Sequence, residues 1–482
     1  MLAAFRSGDA RATRWLGAEA TTDASAFARG FAWRGDRAAL AAILDQAVAD
    51  GGRQARVAVA RLRGDGVAIV AGQQPAVGGG PLYTLVKAAQ AVATARALAA
   101  AGVGASAVFW CASEDHDLGE ADHADLIRRD GRIDRVRVDL GDGRASLRFR
   151  AAAPAFAAVV ARLHADHGDG LGSAWLRAHA PRADERLGGW LCRLLMEAFA
   201  AHGLIAVEAH RLRPLWATRL ARAIDAWPAR ELAELRREIT AAGHADALGA
   251  LDDPPLFRDA PDGREPLDPG AARALLVSDP LALSPGAALR PALQQVALPA
   301  ACAVLGPGEL AYHAVLGPVY AALDVPRPLP LPRVSVALVP GWLERAAEAW
   351  GVAVDALTAD AAPPSYPAPL AHELERIEAA LADLARAGGS LPGDLPRRAA
   401  AGHARLTREL ERLRASLARG ERRRAGRPPF GTLTGWLFPR GEPQDRVMSL
   451  CQALWLYGPG LADTLVEAVA ITAAGDRRLI RV

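Results

Sequence analysis

The segment Gly72-Gln73-Gln74-Pro75-Ala76-Val77-Gly78-Gly79-Gly80-Pro81-Leu82-Tyr83-Thr84-Leu85-Val86-Lys87 places a glycine-rich turn ahead of a phenol, a hydroxyl and an ammonium. Lys87 is the only lysine in 482 residues, although lysine and arginine together number 57. A planar guanidinium cannot stand in for a compact ammonium where a point charge is needed. A single lysine in an arginine-rich chain therefore marks Lys87 as a candidate catalytic group. Pro81 suits the first position of a helix, with Gly80 as its cap, and Tyr83, Thr84 and Lys87 then project within the first two turns. The free amides and positive dipole end of such a helix attract anions. The expected chemistry is binding of a phosphate or carboxylate, or stabilisation of a developing oxyanion. Ala88 follows the lysine, so this is not the G-x-x-x-x-G-K-[ST] phosphate loop. The competing reading is a turn that only lets a helix pack closely on a sheet.

Two further clusters could act with it. Glu114-Asp115-His116-Asp117, with Glu120, Asp122 and His123 close behind, could hold an ammonium or take the proton from an attacking amine. The same side chains also bind divalent metals. Alternation along an extended segment sends Asp115 and Asp117 to one face and His116 to the other. Acid–base chemistry by Asp115, His116 and Asp117 is therefore expected in preference to a tightly bound metal, the bland alternative being a solvated acidic turn. The third cluster runs Arg290-Pro291-Ala292-Leu293-Gln294, then Gly306-Pro307-Gly308-Glu309-Leu310-Ala311-Tyr312. Arg290 offers a fork suited to a carboxylate, and the Gly-Pro-Gly turn aims Glu309 at the same edge.

These clusters need a scaffold that brings them together. Residues 67–71 and 107–111 are short apolar runs of buried-strand type, each followed by one of the clusters, with a helical stretch between. That is a βαβ unit, and it implies a parallel sheet covered on both faces. Residues 204–207, 301–305 and 334–339 supply further strands, and open parallel sheets bind ligands at the carboxyl ends of their strands. Residues 133–149 alternate apolar with charged side chains, as an exposed antiparallel excursion would. Residues 252–291, rich in proline, glycine and aspartate, read as a loop-rich insertion. Pro363-Pro364-Ser365-Tyr366-Pro367 reads as a hinge. Beyond it Leu370, Leu374, Ile377, Leu381 and Leu384, then Leu406, Leu410, Leu413 and Leu417, follow the a/d spacing of a coiled coil. Gly388-Gly389 and residues 392–396 separate the two stretches, so an antiparallel helical hairpin that meets another chain is expected.

Composition narrows the rest. Hydrophobic residues at 51% and charged residues at 23% are the balance of a globular protein, and the length favours two or three domains. With 57 basic against 54 acidic side chains there is no surplus to neutralise a phosphate backbone, so nucleic acid is not an expected partner. Arg422-Arg423-Arg424 reads as the solvated end of a helix. The four cysteines, Cys111, Cys192, Cys302 and Cys451, form no C-x-x-C pair and suggest reduced thiols. No stretch resembles a signal peptide or approaches the roughly 20 apolar residues of a membrane span, so a cytoplasmic location is expected.

Together, Gly72-Gln73-Gln74, Gly80-Pro81-Leu82-Tyr83-Thr84 with Lys87, Phe109-Trp110 with Glu114-Asp115-His116-Asp117, Arg290-Pro291, Gly306-Pro307-Gly308-Glu309 and Pro332-Arg333 resemble the bacillithiol synthase family, the cysteine-adding enzymes of bacillithiol biosynthesis. Leu437-Phe438-Pro439 and Tyr457-Gly458-Pro459 extend the resemblance over nearly the whole chain. Where the family carries asparagine just before the Arg-Pro pair, this chain has Pro285-Gly286.

The resemblance implies an α/β fold: a Rossmann-like parallel-sheet core similar to class I aminoacyl-tRNA synthetases, with insertions and a C-terminal antiparallel coiled coil that makes a homodimer. The corresponding division is a core at 1–362 with inserted segments at 130–200 and 240–290, a hairpin at 363–427, and a segment at 428–482 that packs back on the core. The implied reaction joins the carboxyl group of cysteine to the amine of glucosaminyl-malate, with activation by ATP or another nucleotide, with or without Mg. Lys87 and Thr84 would then stabilise developing charge, and Asp115, His116 and Asp117 would position and deprotonate the amine. Arg290 would hold a carboxylate and Gln73 and Gln74 the sugar. Tyr83, Glu114, Gln294, Gly306, Gly308 and Glu309 would complete the binding surface. Two other readings fit the same residues: a metal-dependent hydrolase of an amino-sugar conjugate using the 114–123 cluster, and a non-catalytic nucleotide-binding scaffold.

Overall fold

The computed structural model describes residues 1–141, 143–364, 371–424, 427–470 and 476–482. Its strands, in chain order, are β1 (Val67–Gln73), β2 (Ala105–Cys111), β3 (His123–Ile127), β4 (Ile133–Arg137), β5 (Ile205–Glu208), β6 (Leu256–Ala260), β7 (Gly263–Leu267), β8 (Leu283–Pro285), β9 (Ala300–Leu305), β10 (Leu329–Pro332), β11 (Ser335–Val339) and β12 (Arg477–Arg481). The helices that bear on the site are α1 (Tyr83–Ala100), α2 (Leu187–Ala198), α3 (Arg213–Asp225), α4 (Arg290–Ala297) and α5 (Pro307–His313). Two more, α6 (Ala371–Gly389) and α7 (Leu395–Arg424), form the hairpin. By contacts the chain divides into two compact units, one of residues 1–128, 133–338 and 443–480, the other of residues 129–132, 339–442 and 481–482.

The first unit is built on a parallel sheet in the order β10-β9-β1-β2-β5. β2 and β9 are buried along their whole length, which is why they read as unbroken apolar runs and not as alternating ones. From β1 the chain adds β2 and β5 on one side, then returns to add β9 and β10 on the other. The direction of winding thus reverses between β1 and β9, and the loops after these two strands part there. Such a switch point is where open α/β sheets hold ligands. β10 escapes the strand pattern because it reads Leu329-Pro330-Leu331-Pro332. Proline cannot donate to a ladder, and β10 tolerates two because it is an edge strand. The run at 334–339 is a strand, but it lies outside this sheet and pairs with β12.

Two expectations need correction. The alternating stretch 133–149 is a strand only in its first five residues, which form β4, and its antiparallel partner β3 begins at His123 inside the acidic cluster. Its charges form pairs across the two strands, Arg135 to Asp125 at 2.8 Å and Arg137 to Asp122 at 2.6 Å. The insertion at 252–291 is not loop-rich. It forms a three-stranded antiparallel sheet, β7-β6-β8, and a helix at Pro269–Ser278 whose first turn is capped by Asp268. Its prolines and glycines punctuate these elements. A buried ion network fastens this sheet to the core: Arg213 on α3, 2% exposed, donates to Glu114 and to Asp259 at 2.5 Å each. Arg148 reaches Asp259 at 2.9 Å, so two guanidinium groups face two carboxylates.

In the second unit α6 and α7 pack on each other as a hairpin, with Arg414 bound to Glu378 at 2.6 Å. Leu374 and Leu410 are buried between them, whereas Ile377, Leu384, Leu406 and Leu413 remain 45%, 54%, 47% and 45% exposed. Within the expected hinge, residues 365–367 lie outside the described residues, as does Leu370.

β11 is anchored by two consecutive buried side chains. Asp445, fully buried, accepts from Arg333, from Ser335 Oγ at 3.2 Å and from Val336 N at 3.1 Å. Gln444 accepts from Leu338 N at 2.7 Å. Replacing Asp445 by alanine strands the Arg333 guanidinium, itself 8% exposed. The expected loss is about 3–5 kcal/mol, the cost of a buried charge left alone. A guanidinium-chloride midpoint for Asp445→Ala within error of wild type would contradict this anchoring.

Candidate functional site

At the switch point a cavity of about 350 Å³ is walled by the segments after β1 and β9. Between the lining residues Gln74 and Tyr83 the chain turns through backbone that only glycine adopts readily. Gly78, Gly79 and Gly80 have φ of +71°, +76° and +79°, and a Cβ on Gly78 would lie 2.8 Å from that of Ala124. The loop does not deliver Pro81 to the first turn of the helix. Leu82 N donates to Met448 O at 2.7 Å and Leu450 N to Gly80 O at 2.8 Å, so residues 80–82 pair with the chain around Ser449 and α1 starts at Tyr83.

Lys87, 2% exposed, is the hub of the cavity. Its Nζ donates to Gly72 O at 2.8 Å and Gln73 Oε1 at 3.2 Å and pairs with Glu309 Oε2 at 2.6 Å. All three ammonium hydrogens therefore have acceptors within the protein. Burial pulls its pKa down, and the Glu309 carboxylate opposes that. Glu309 is held in turn by Gly306 N at 2.7 Å, across the first turn of α5. Gln73 also donates to Tyr83 Oη at 3.2 Å. The Tyr83 ring lies 5.6 Å from Lys87 Nζ and 5.1 Å from the Arg333 guanidinium, and burial pushes its phenol up to about 12.

The opposite wall comes from α4 and α5. Arg290, partly buried, donates to Tyr312 Oη at 3.3 Å and has no ion-pair partner among the described residues. Asp115 faces the same space. Its Oδ1 accepts from His116 N at 2.7 Å and Asp117 N at 3.1 Å, and among the described residues no hydrogen bond reaches Oδ2. Gln294 sits one turn along from Arg290, and Gly306 and Gly308 close the turn after β9. At the mouth Gln74 donates to Glu120 at 2.8 Å.

The structure thus brings together Gln73, Gln74, Tyr83, Lys87, Asp115, Arg290, Gln294, Gly306, Gly308 and Glu309. Four expected site residues do not line the cavity. Thr84 is fully buried, with its hydroxyl unpartnered. Glu114 is turned inward to Arg213. His116 leaves by the other face of the segment and sits against the Arg264 guanidinium at 3.0 Å; burial, then that cation, lowers its pKa. Asp117 is exposed and caps the short helix Leu118–Ala121. Among the described residues no group of three His, Cys, Asp or Glu side chains converges as a metal site.

Tyr312 and Arg333, which stand in the sequence motifs without an assigned role, also line the cavity, as do His313 and Arg446, which the motifs do not include. His313 is one residue past the Gly306–Tyr312 motif on α5. Its ring, 7% exposed, makes no hydrogen bond among the described residues. Burial, with Arg327, Arg290 and Lys87 nearby, pushes its pKa down to about 3, so it presents a neutral imidazole. A larger cavity of about 660 Å³, lined by Trp33, Arg34, Arg219 and Tyr320 among others, contains none of the three motif clusters. The buried charge at the switch point makes the smaller cavity the candidate site.

A parallel α/β sheet with a charged cavity at its switch point defines a Rossmann-like protein of the ligand-binding or catalytic kind. The family description "Bacillithiol biosynthesis BshC, N-terminal Rossmann-like domain" matches residues 18–251 and 271–334, and the chain belongs to this family. Its relatives include proteins named "Putative cysteine ligase BshC". The one from Koribacter versatilis is 30% identical over 463 residues, covering 88% of this chain and 85% of the relative. One from Thermus thermophilus is 30% identical over 437 residues, covering 82% and 84%. That from Geobacillus thermodenitrificans is 26% identical over 466 residues, covering 86% and 84%.

The His313 environment sets a pH dependence. An unfolded chain binds a proton at an ordinary histidine below pH 6.5, whereas folded His313 does so only near 3. Stability should therefore be unaffected by His313 above pH 6.5 and fall as the pH drops through that window. The limiting slope is about 1.4 kcal/mol per pH unit. Calorimetry at pH 7 and pH 4.5 should show a smaller drop in Tm for His313→Gln than for wild type; an equal drop would mean the imidazole is protonated in the fold.

Proposed function

We propose that this protein is a ligase that joins the carboxyl group of cysteine to the amine of glucosaminyl-malate, as a cytoplasmic step of bacillithiol biosynthesis. The observation that carries this is the pairing of unmet charge in one cavity: the Arg290 guanidinium without a carboxylate and the Asp115 carboxylate with one oxygen free. Together they complement a substrate set that brings a carboxylate and an amine to the same place. Arg290 grips a carboxylate through charge-assisted hydrogen bonds, and Asp115 holds the amine and accepts its proton as the amide forms. Gln74 and Glu120, at the mouth, suit sugar hydroxyls. Lys87, with its donors taken, is a positioning residue that holds the loops after β1 and β9 together.

A free carboxylate is a poor acyl donor, so activation by ATP or another nucleotide is part of the proposal. Arg290 and Arg446 supply cationic surface that suits phosphate charge. The proposed likeness to class I aminoacyl-tRNA synthetases comes from the family resemblance, and a parallel sheet with its site at the strand ends supports it. We also propose that the hairpin of residues 363–427 is a separate domain that pairs two copies of the chain as a coiled coil. The exposed Ile377, Leu384, Leu406 and Leu413 support this reading, because a/d positions are apolar where a partner covers them.

Incubation with cysteine, glucosaminyl-malate and ATP, read by mass spectrometry, should give the amide with one nucleotide cleaved per product. No amide would overturn the ligase reading, and amide without nucleotide cleavage would overturn the activation step. Arg290→Gln should raise KM for one substrate about 10- to 100-fold, the loss of a charged hydrogen bond worth roughly 1.5–3 kcal/mol. Lys87→Arg should abolish product, because the larger fork cannot occupy the buried site; retention of full activity would show that the site does not need a lysine there. For the hairpin, light scattering should report a dimer for wild type and a monomer for the double variant Ile377→Glu, Leu406→Glu. A monomeric wild type would remove the dimer proposal.

A further inference from the structure

The long hairpin helix α7 gathers arginines on one side. At about 100° per residue, Arg397, Arg405, Arg408, Arg412 and Arg419 fall within an arc of about 80° and along a straight line of about 33 Å. Between Arg397 and Arg419 the arc contains only two other residues, Ala401 and Ala415. Every one of these side chains is exposed. Glu409 and Glu411 flank the arc without entering it, and Leu406, Leu410, Leu413 and Leu417 occupy the far side of the helix. A second copy covering the leucine seam would therefore leave the arginines open.

The stripe is unbalanced where its surroundings are not. Outside it, Arg398 pairs with Asp394 at 2.9 Å and Arg414 with Glu378 at 2.6 Å. Within it Arg412 alone has a partner, Glu409 at 2.5 Å; Arg397, Arg405, Arg408 and Arg419 have no ion pair among the described residues. Arg405 and Arg408 stand three apart and Arg408 and Arg412 four apart, spacings at which like charges repel. A face that served only solubility would alternate its signs there. The whole-chain balance of 57 basic and 54 acidic side chains hides this local surplus, so the argument from net charge against a nucleic-acid partner does not reach this one face.

The composition of the stripe selects the kind of anion it suits. A helix that lies on a membrane needs large apolar side chains beside its cations to enter the lipid, and here the only apolar side chains in the arc are two alanines. A stable protein interface needs a buried core of apolar and aromatic anchors, which are equally lacking. A phosphate backbone needs neither, because its binding is driven by cations that release condensed counterions. The length of about 33 Å also matches about one turn of a duplex.

We propose that the arginine face of α7 is a docking surface for the phosphate backbone of a nucleic-acid duplex, bound without regard to base sequence. The inference does not depend on the ligase reading.

The test measures fluorescence anisotropy of short DNA duplexes of two unrelated sequences with the full chain, from about 50 to about 200 mM salt. Wild type should bind both alike, and the logarithm of its affinity should fall against that of salt with a slope of about −4, one phosphate for each unpaired arginine. The quadruple variant Arg397→Gln, Arg405→Gln, Arg408→Gln, Arg419→Gln should bind at least about tenfold more weakly at the lower salt, with its slope near zero; Arg405→Gln, Arg408→Gln should lose about 2 from the slope. Glutamine forms helix about as well as arginine and the positions are exposed, so the fold should persist; should the quadruple variant fail to fold, the double variant decides. Lysine at the same four positions should keep the slope. The proposal is overturned if wild type binds no duplex at the lower salt, if the glutamine variants keep the wild-type slope, or if polyglutamate or phosphatidylserine vesicles are bound as tightly as the duplex.

Discussion

The buried ion pair of Lys87 with Glu309 is the contact on which the cavity depends. An ammonium that is 2% exposed is costly unless every hydrogen is met and an opposite charge is close. Both conditions hold only if the ends of β1 and the start of α5 take up their positions together, because two acceptors come from Gly72 and Gln73 and the third from Glu309. The two loops that part at the switch point are thereby tied across it. An arginine would carry the charge, but its size and planar fork would not fit the three converging acceptors. That is a physical reason for one lysine to stand in a chain whose other basic residues are all arginine.

Charge is distributed so that most buried groups are spent on structure. Glu114 and Asp259 are balanced by Arg213 and Arg148, which fixes the inserted sheet. Asp445 neutralises Arg333 and anchors β11. Among the described residues the Arg290 guanidinium without an ion pair, the Asp115 oxygen that accepts no hydrogen bond and the neutral ring of His313 face one cavity. Charged groups left without partners where the loops of an open α/β sheet part are the expected mark of a place that completes itself with a ligand.

Much of this was readable in the residues. The apolar runs located four of the five sheet strands, and the glycine-rich segment, Asp115, Arg290 and the Gly306–Glu309 turn all reached one cavity. The failures have identifiable causes. β10 was hidden by prolines that only an edge position tolerates. The proline- and glycine-rich insertion folded because those residues served as turns and helix starts. Thr84, Glu114, His116 and Asp117 were adjacent in sequence to true lining residues, yet neighbours in a chain point different ways, and each was drawn to another partner.

Local chemistry decided which segments are strands and helices and which residue types stand at their ends, because burial on both faces and glycine's freedom at positive φ leave direct marks in the order of residues. The tertiary structure alone decided which of those residues share a space. Lys87 meets Glu309 from a distant part of the chain, and His313 enters the cavity while His116 leaves it. Such meetings depend on the order of strands in the sheet and on which charges find partners first. Neither is a local property of the chain.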